Sequence, residues 1–306
     1  MATLVETPDV RILLDPSAAL GKRMGLPPHP EEYKAVREAT KRIILMARKC
    51  EVLVISHYHF DHFKPFIRNF TFMWSSPEIA TEIYMDKVLL VKDISDNINH
   101  SQRIRGHAFH KSVKEVARKI EWADGRTFVI GDTKISFSPP MPHGEEGSKL
   151  GYVLLCTIRY GDESFLFAPD VQGPMADATL KYILNEKPSV AYIGGPPIYL
   201  AGAKTKWDSV QKGLNNLEEI VREIPIVIID HHLLRDFSWR DHCANIFDTA
   251  ERSGHRIMCA MEFVGQRPLL LEAMRRELYE KSPPSDDFIK WTKLRKEERR
   301  ETPPPL

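Results

Sequence analysis

Short apolar runs alternate along the chain with longer stretches of spaced apolar residues, and their order sets the elements to expect. Val10 to Leu14 is a brief apolar run that ends at Asp15 and is stopped by Pro16, the pattern of a short strand. A loop punctuated by proline and glycine follows, and PEEYKAVREATKRIILMARKC then predicts a helix. It is acidic at its start and basic at its end, as the helix dipole favours, and Tyr33, Val36, Ile43, Ile44 and Met46 mark an approximate apolar face. Val52 to Ile55 is a continuous apolar run, the pattern of a buried strand. Beyond it, PEIATEIYMDKVLL and RGHAFHKSVKEVARKIEW both read as largely helical, with the polar stretch KDISDNINHSQ between them.

After Asp124-Gly125 the period shortens. Thr127 to Ile130 and Lys134 to Phe137 flank Gly131-Asp132, a hairpin signal, and Tyr152 to Ile158 and Ser164 to Ala168 flank Tyr160-Gly161-Asp162. From there strands alternate with helices: helix Ala176 to Asn185, strand Val190 to Ile193, helix Trp207 to Glu223, strand Ile226 to Ile229, helix Arg240 to Arg252, strand Arg256 to Met261. A helix from Pro268 to Lys281 closes the packed body. The last stretch, SPPSDDFIKWTKLRKEERRETPPPL, reads as a short helix and a frayed, charged tail, its basic residues interrupted by Glu297 and Glu298 as on a solvated helix. Hairpins in the first half and alternation in the second predict mixed sheets covered by helices in layers.

Composition narrows the partners. The chain has 306 residues, enough for a large core, and 43 basic residues against 42 acidic ones give no global field to gather nucleic acid or an anionic membrane. No apolar run approaches the length that crosses a bilayer, and MATLVETPDVRILLD lacks the basic and apolar regions of a signal peptide. Cys50, Cys156, Cys243 and Cys259 are scattered and form no CxxC pair, so they read as small buried hydrophobes in a reducing compartment. A cytoplasmic location is the expectation.

The chemistry concentrates in HYHFDH. His57, His59, Asp61 and His62 follow directly on the strand Val52 to Ile55, and imidazole nitrogen with carboxylate oxygen is the donor set of zinc, manganese and iron. In an extended segment His57, His59 and Asp61 can share one side, while His62 points elsewhere and could serve a second ion. A satisfied histidine cluster, or one that takes up metal adventitiously, is the bland alternative, but HxHxDH after a strand is far more specific than a lone histidine. Asp15, His143, Asp170 and His231 each lie just past a predicted strand or in a short loop, where side chains of neighbouring strands can converge. His100, His107 and His110 read as solvated.

The order Asp15, then His57-His59-Asp61-His62, then His143 before a Gly-Ser turn, Asp170 and His231 resembles the metallo-β-lactamase-fold hydrolase superfamily, and within it an archaeal group of predicted metal-dependent hydrolases. The likeness spans residues 10 to about 262. It implies an α/β fold, a four-layer αββα sandwich of two mixed sheets with outer helices. One hydrolase domain would cover 1–281, with 63–121 inserted as a helical cap, and 282–306 would be the charged tail. It also implies two divalent ions, zinc first, with manganese or iron as alternatives. His57, His59 and His143 would hold one, Asp61, His62 and His231 the other, and Asp170 would bridge them, with Asp15 orienting a ligand from behind.

Such a centre lowers the pKa of bound water, so that a hydroxide bridging the ions could attack, and it attracts anions. The implied activity is hydrolysis of a phosphodiester or another small anionic ester. Asp61 and His232 would be its catalytic side chains, His232 as proton donor or oxyanion contact, with Arg235 at the substrate. His231 and His232 are adjacent and can exchange roles. Only 61 residues separate Asp170 from His231, too few for the added domain of the large nucleases of this fold. An RNA-processing nuclease of smaller form, and a non-catalytic metal-stabilised or anion-binding scaffold, are the alternatives. The expected partner is a small anionic substrate, with no membrane and with a homo-oligomer open.

Overall fold

The computed structural model describes residues 1–23 and 25–306, which divide into two compact units. The first comprises Met1–Ile94, His100–Trp122 and Leu271–Leu306; the second comprises Ser95–Asn99 and Ala123–Leu270.

The first unit is built on a five-stranded mixed sheet. β1 (Thr3–Glu6) pairs antiparallel with β2 (Arg11–Leu14); α1 (Pro30–Lys49) then leads to β3 (Val52–Ile55), α2 (Pro77–Tyr84) to β4 (Val88–Val91), and α3 (His100–Val113) to β5 (Lys119–Trp122). The sheet order follows the chain, and every pair from β2 to β5 is parallel. α1 starts as its sequence predicts. Pro30 opens it, the His29 ring accepts from the Glu31 N–H, and the Glu32 carboxylate accepts from the His29 N–H at 2.8 Å. Its inward face is Tyr33, Val36, Ile43 and Ala47, with Ile44 and Met46 only half-buried.

KVLL and KIEW, expected as helix, are strands. Val88–Val91 sits between Val52–Ile55 and Lys119–Trp122, with Leu89 opposite both Leu53 and Ile120. A four-residue apolar run carries no helical period to read, and pairing on both sides decides its state. His100 and His107 are exposed as expected, whereas the half-buried His110 stacks on Trp122 with ring centroids 4.9 Å apart.

The second unit holds a seven-stranded mixed sheet. β6 (Thr127–Ile130) and β7 (Thr133–Phe137) form the expected hairpin; β8 (Met141–Pro142) and β9 (Tyr152–Val153) form a small pair of their own. β10 (Cys156–Tyr160) and β11 (Glu163–Ala168) continue antiparallel. α4 (Asp177–Glu186), β12 (Val190–Ile193), α5 (Trp207–Glu223), β13 (Ile226–Ile229), α6 (Trp239–His242), α7 (Ala244–Ser253), β14 (Arg256–Cys259) and α8 (Ala260–Phe263) complete the unit. The order across the sheet is β14-β13-β12-β11-β10-β7-β6, parallel from β14 to β11 and antiparallel beyond. Ala168, Ile193 and Ile229 are paired neighbours, so β11, β12 and β13 end level, and the residues just past them emerge side by side.

The chain then returns to the first unit through α9 (Arg275–Lys281), α10 (Asp286–Lys293) and α11 (Lys296–Glu301). The helix expected from Pro268 begins only at Arg275. Arg275 is fully buried: it meets both oxygens of Glu32 at 2.7 and 2.6 Å and donates to the carbonyls of Gly21 and Leu26. The stretch expected to fray is packed instead. Phe288 and Trp291 bury against Tyr33, a side-chain burial worth about 1.5–3 kcal/mol each. The Trp291 indole N–H donates to Thr302 O at 2.9 Å, and the Phe70 N–H to Arg300 O at 3.0 Å. Among the described residues no helix is long and apolar enough to cross a membrane.

Candidate metal centre

In the first unit β2 and β3 run parallel, so Asp15 and Ser56 leave adjacent strand ends together. The Asp15 N–H donates to Val54 O at 2.9 Å, and its backbone turns into the left-handed region (φ 45°), which aspartate tolerates better than most residues. The fully buried Asp15 carboxylate accepts the Ser56 N–H on Oδ1 at 2.8 Å and the Ser56 hydroxyl on Oδ2 at 2.6 Å. The same Oδ2 lies 2.7 Å from His62 Nδ1, and the Ser56 hydroxyl lies 2.9 Å from His57 Nδ1.

Proton directions follow from chemistry. A carboxylate only accepts, so His62 carries its proton on Nδ1. The Ser56 hydroxyl spends its proton on Asp15 and therefore accepts from His57 Nδ1–H. Both rings present Nε2 as the lone-pair nitrogen, the state in which imidazole binds a metal. One ligating atom from each of Asp15, His57 and His62 lies within 4.8 Å of the others. The His59 ring is 4.6 Å from that of His57, and the His62 N–H closes the turn on His59 O at 2.9 Å. Asp61 is half-buried in the same turn. Arg105 stands near it and donates to Tyr58 O at 3.0 Å; burial lowers the Arg105 pKa, although the Asp61 charge works to raise it.

In the second unit the level ends of β11, β12 and β13 deliver Asp170, Gly194 and Asp230. Asp170 also takes a left-handed conformation (φ 48°). Gly194 is required beside it, because a Cβ there would stand 2.5 Å from the Asp170 nitrogen. The buried Asp170 carboxylate divides its oxygens: Oδ2 is 2.9 Å from His143 Nε2, and Oδ1 is 3.2 Å from His231 Nε2. His232 Nε2 is 3.6 Å from that same Oδ1, and its ring stands at 87° to that of His231.

The two adjacent histidines differ electrostatically. Burial works to lower the pKa of His231, but Asp230, with Asp170, outweighs it and holds the pKa above its ordinary value. Burial, and then the neighbouring His231, keep that of His232 well below. Burial would raise the pKa of Asp230, yet positive partners, His231 among them, hold it far below the usual carboxylate range. Arg235 lies three residues past His232; its guanidinium donates to the Tyr199 hydroxyl at 3.2 Å.

Each unit therefore gathers the site residues expected from its own part of the sequence: Asp15, His57, His59, Asp61 and His62 in the first, His143, Asp170, His231 and His232 in the second. Two participants were missed. Ser56 and Asp230 each sit one residue before a recognised histidine, and position directly after a strand was the available signal. The donors are imidazole nitrogen and carboxylate oxygen, with tautomers fixed from behind in the first unit, and they fit borderline divalent cations.

No protein-family model matches the chain. It is 41% identical over 284 residues to the UPF0282 protein of Korarchaeum cryptofilum, covering 92% of this chain and 91% of that protein. It is 43% identical over 280 residues to the UPF0282 protein of Methanocaldococcus jannaschii, covering 91% of each. Among solved structures, CmlA, a diiron β-hydroxylase from Streptomyces venezuelae, aligns with a TM-score of 0.50 at 12% identity, over 84% of this chain and 51% of that chain. The metallo-β-lactamase fold protein YhfI from Bacillus subtilis aligns with a TM-score of 0.44 at 12% identity, over 84% of this chain and 87% of its own. The likeness to CmlA is one of fold alone.

Proposed function

The chain belongs to the UPF0282 family, and we propose that it is a metal-dependent hydrolase of the metallo-β-lactamase fold, acting on phosphodiesters or other small anionic esters. The observation that carries the proposal is the proton relay behind HYHFDH. One buried carboxylate, acting directly on His62 and through Ser56 on His57, puts both Nε2 lone pairs forward.

Two divalent ions, zinc in the first instance, would be held, with His57, His59, Asp61 and His62 as the donors that the first unit offers and His143, Asp170 and His231 as those that the second offers. Bound there, they would supply Lewis acidity and an activated water. The chain's own groups do the rest. Asp15 and Ser56 orient rings, and Asp170 offers one oxygen to each of two neighbours. Asp61 and His232 serve as the catalytic side chains, with His232 contacting the developing charge on the substrate. Arg235, steadied by the Tyr199 hydroxyl, gives a fixed positive group and supports an anionic substrate.

The test pairs metal analysis with a panel of chromogenic phosphodiester, phosphomonoester and carboxyl ester substrates and short RNA, with His59→Ala as control. Stoichiometric metal and turnover that His59→Ala abolishes are expected. Metal without turnover across the panel would favour a scaffold, and RNA cleavage alone would favour a nuclease.

A further inference from the structure

We propose that Asp230 is a positioning residue that makes His231, and not its neighbour His232, the last histidine ligand; this rests on the metal-dependent reading above. Asp230 follows directly on β13 and stays tied to the sheet, its N–H donating to Ile193 O at 3.1 Å. Its side chain is buried, and Oδ2 lies 2.9 Å from His231 Nδ1. A carboxylate offers no proton, so the hydrogen bond runs from Nδ1–H to Asp230, and Nε2 is the nitrogen left with a lone pair. That Nε2 is the atom 3.2 Å from Asp170 Oδ1, while Oδ2 of the same carboxylate meets His143. His143 and His231 thus each meet one oxygen of Asp170. Ligating atoms of Asp170, His231 and His232 lie within 4.8 Å of one another, but the carboxylate behind the pair is on His231.

His232 has the opposite surroundings. The backbone turns helical at His232 (φ −64°, ψ −44°), and the Leu233 N–H closes the turn on Asp230 O at 3.2 Å. The turn swings the second ring nearly perpendicular to the first. Its Nε2 is farther from Asp170, at 3.6 Å, and its buried Nδ1 has no hydrogen-bond partner among the described residues. No carboxylate among the described residues stands behind its Nδ1 as Asp230 stands behind that of His231. A ring held by a carboxylate is the more basic and better aimed ligand, and such a carboxylate is worth about 10- to 100-fold in metal affinity.

The experiment strips the purified protein of metal and titrates zinc back against a competing chelator, for wild type, Asp230→Asn, Asp230→Ala, His231→Ala and His232→Ala. Cobalt absorption reads the ligand field in parallel. Asp230→Ala should bind one of the two ions about 10- to 100-fold more weakly and shift the cobalt bands. Asp230→Asn should lose less, because its amide oxygen still accepts from Nδ1–H; it also carries the test if Asp230→Ala does not fold. His231→Ala should lose one equivalent of metal, and His232→Ala should keep both. Wild-type affinity in both Asp230 variants, or loss of the equivalent in His232→Ala instead, overturns the assignment and leaves the hydrolase proposal standing. A wild-type protein that takes up no stoichiometric metal overturns both.

Discussion

Replacing Asp15 with asparagine should reverse the proton relay behind the first histidine cluster. Oδ1 of Asp15 accepts a backbone N–H from Ser56, so the asparagine must place its carbonyl oxygen there. Its amide nitrogen then takes the Oδ2 position and faces the Ser56 hydroxyl and His62 Nδ1, both of which now serve as donors. His62 must shift its proton to Nε2. The Ser56 hydroxyl, turned into an acceptor towards the amide, donates to His57 Nδ1, and His57 also becomes the Nε2–H tautomer. One isosteric change thereby caps the ligating nitrogen of two rings.

Disturbing the partner behind a single ligand costs about 10- to 100-fold in metal affinity, so two rings acting through one network give about 10²- to 10⁴-fold. Fold stability should fall by about 1.5–3 kcal/mol, the value of a hydrogen bond to a charged group, against about 3–5 kcal/mol for metal binding at about 1.4 kcal/mol per tenfold. The assay is zinc titration of metal-stripped Asp15→Asn and wild type against a chelator, with denaturant unfolding of both metal-free proteins as control. Ser56→Ala, which removes the link to His57 alone, should fall between them. Asp15→Asn that folds normally and binds zinc within about threefold of wild type would refute the tautomer logic.

Removing Arg275 strands Glu32 in a fully buried position, so Arg275→Ala should cost about 3–5 kcal/mol in denaturant unfolding, whereas methionine at both positions should recover most of the loss. A loss below about 1 kcal/mol in Arg275→Ala would show that the pair is not buried as described. Gly194→Ala places a Cβ against the Asp170 backbone, which cannot swing aside as a side chain would; a loss of about 1–3 kcal/mol and weaker metal binding are expected together. Stability lost without any change in metal affinity would mean that Asp170 is not held by that contact. All four cysteines are buried, and burial pushes the thiol of Cys50 up to about 11 and that of Cys243 up to about 12. Thiolate is therefore scarce at pH 8, and a disulfide reagent should modify all four only after denaturation. Rapid labelling of the native protein would contradict this.

Sequence by itself determined the elements whose cues are local. Val52–Ile55, Val190–Ile193, Trp207–Glu223 and Ile226–Ile229 form with the expected bounds, the three strands because each apolar run is set off by turn or polar residues and continues no helical stretch, and the helix because its amphipathic period is long. The histidine run was legible as residue types and spacing specific to metal ligation after a strand, whereas Asp15, His143 and Asp170 stood out only through their order along the chain, which resembles that of the metallo-β-lactamase-fold superfamily. Tertiary structure decided what depends on partners far along the chain. β4 and β5 are strands only because β3 and each other supply hydrogen bonds, and the final helices are ordered because Tyr33 receives Phe288 and Trp291 across some 255 residues of sequence. The roles of Ser56 and Asp230 depend on which oxygen meets which ring nitrogen, a fact of a few tenths of an ångström that no residue pattern records. The sequence specified a candidate metal-ligating set; folding specified which nitrogen of His57, His62 and His231 carries the proton.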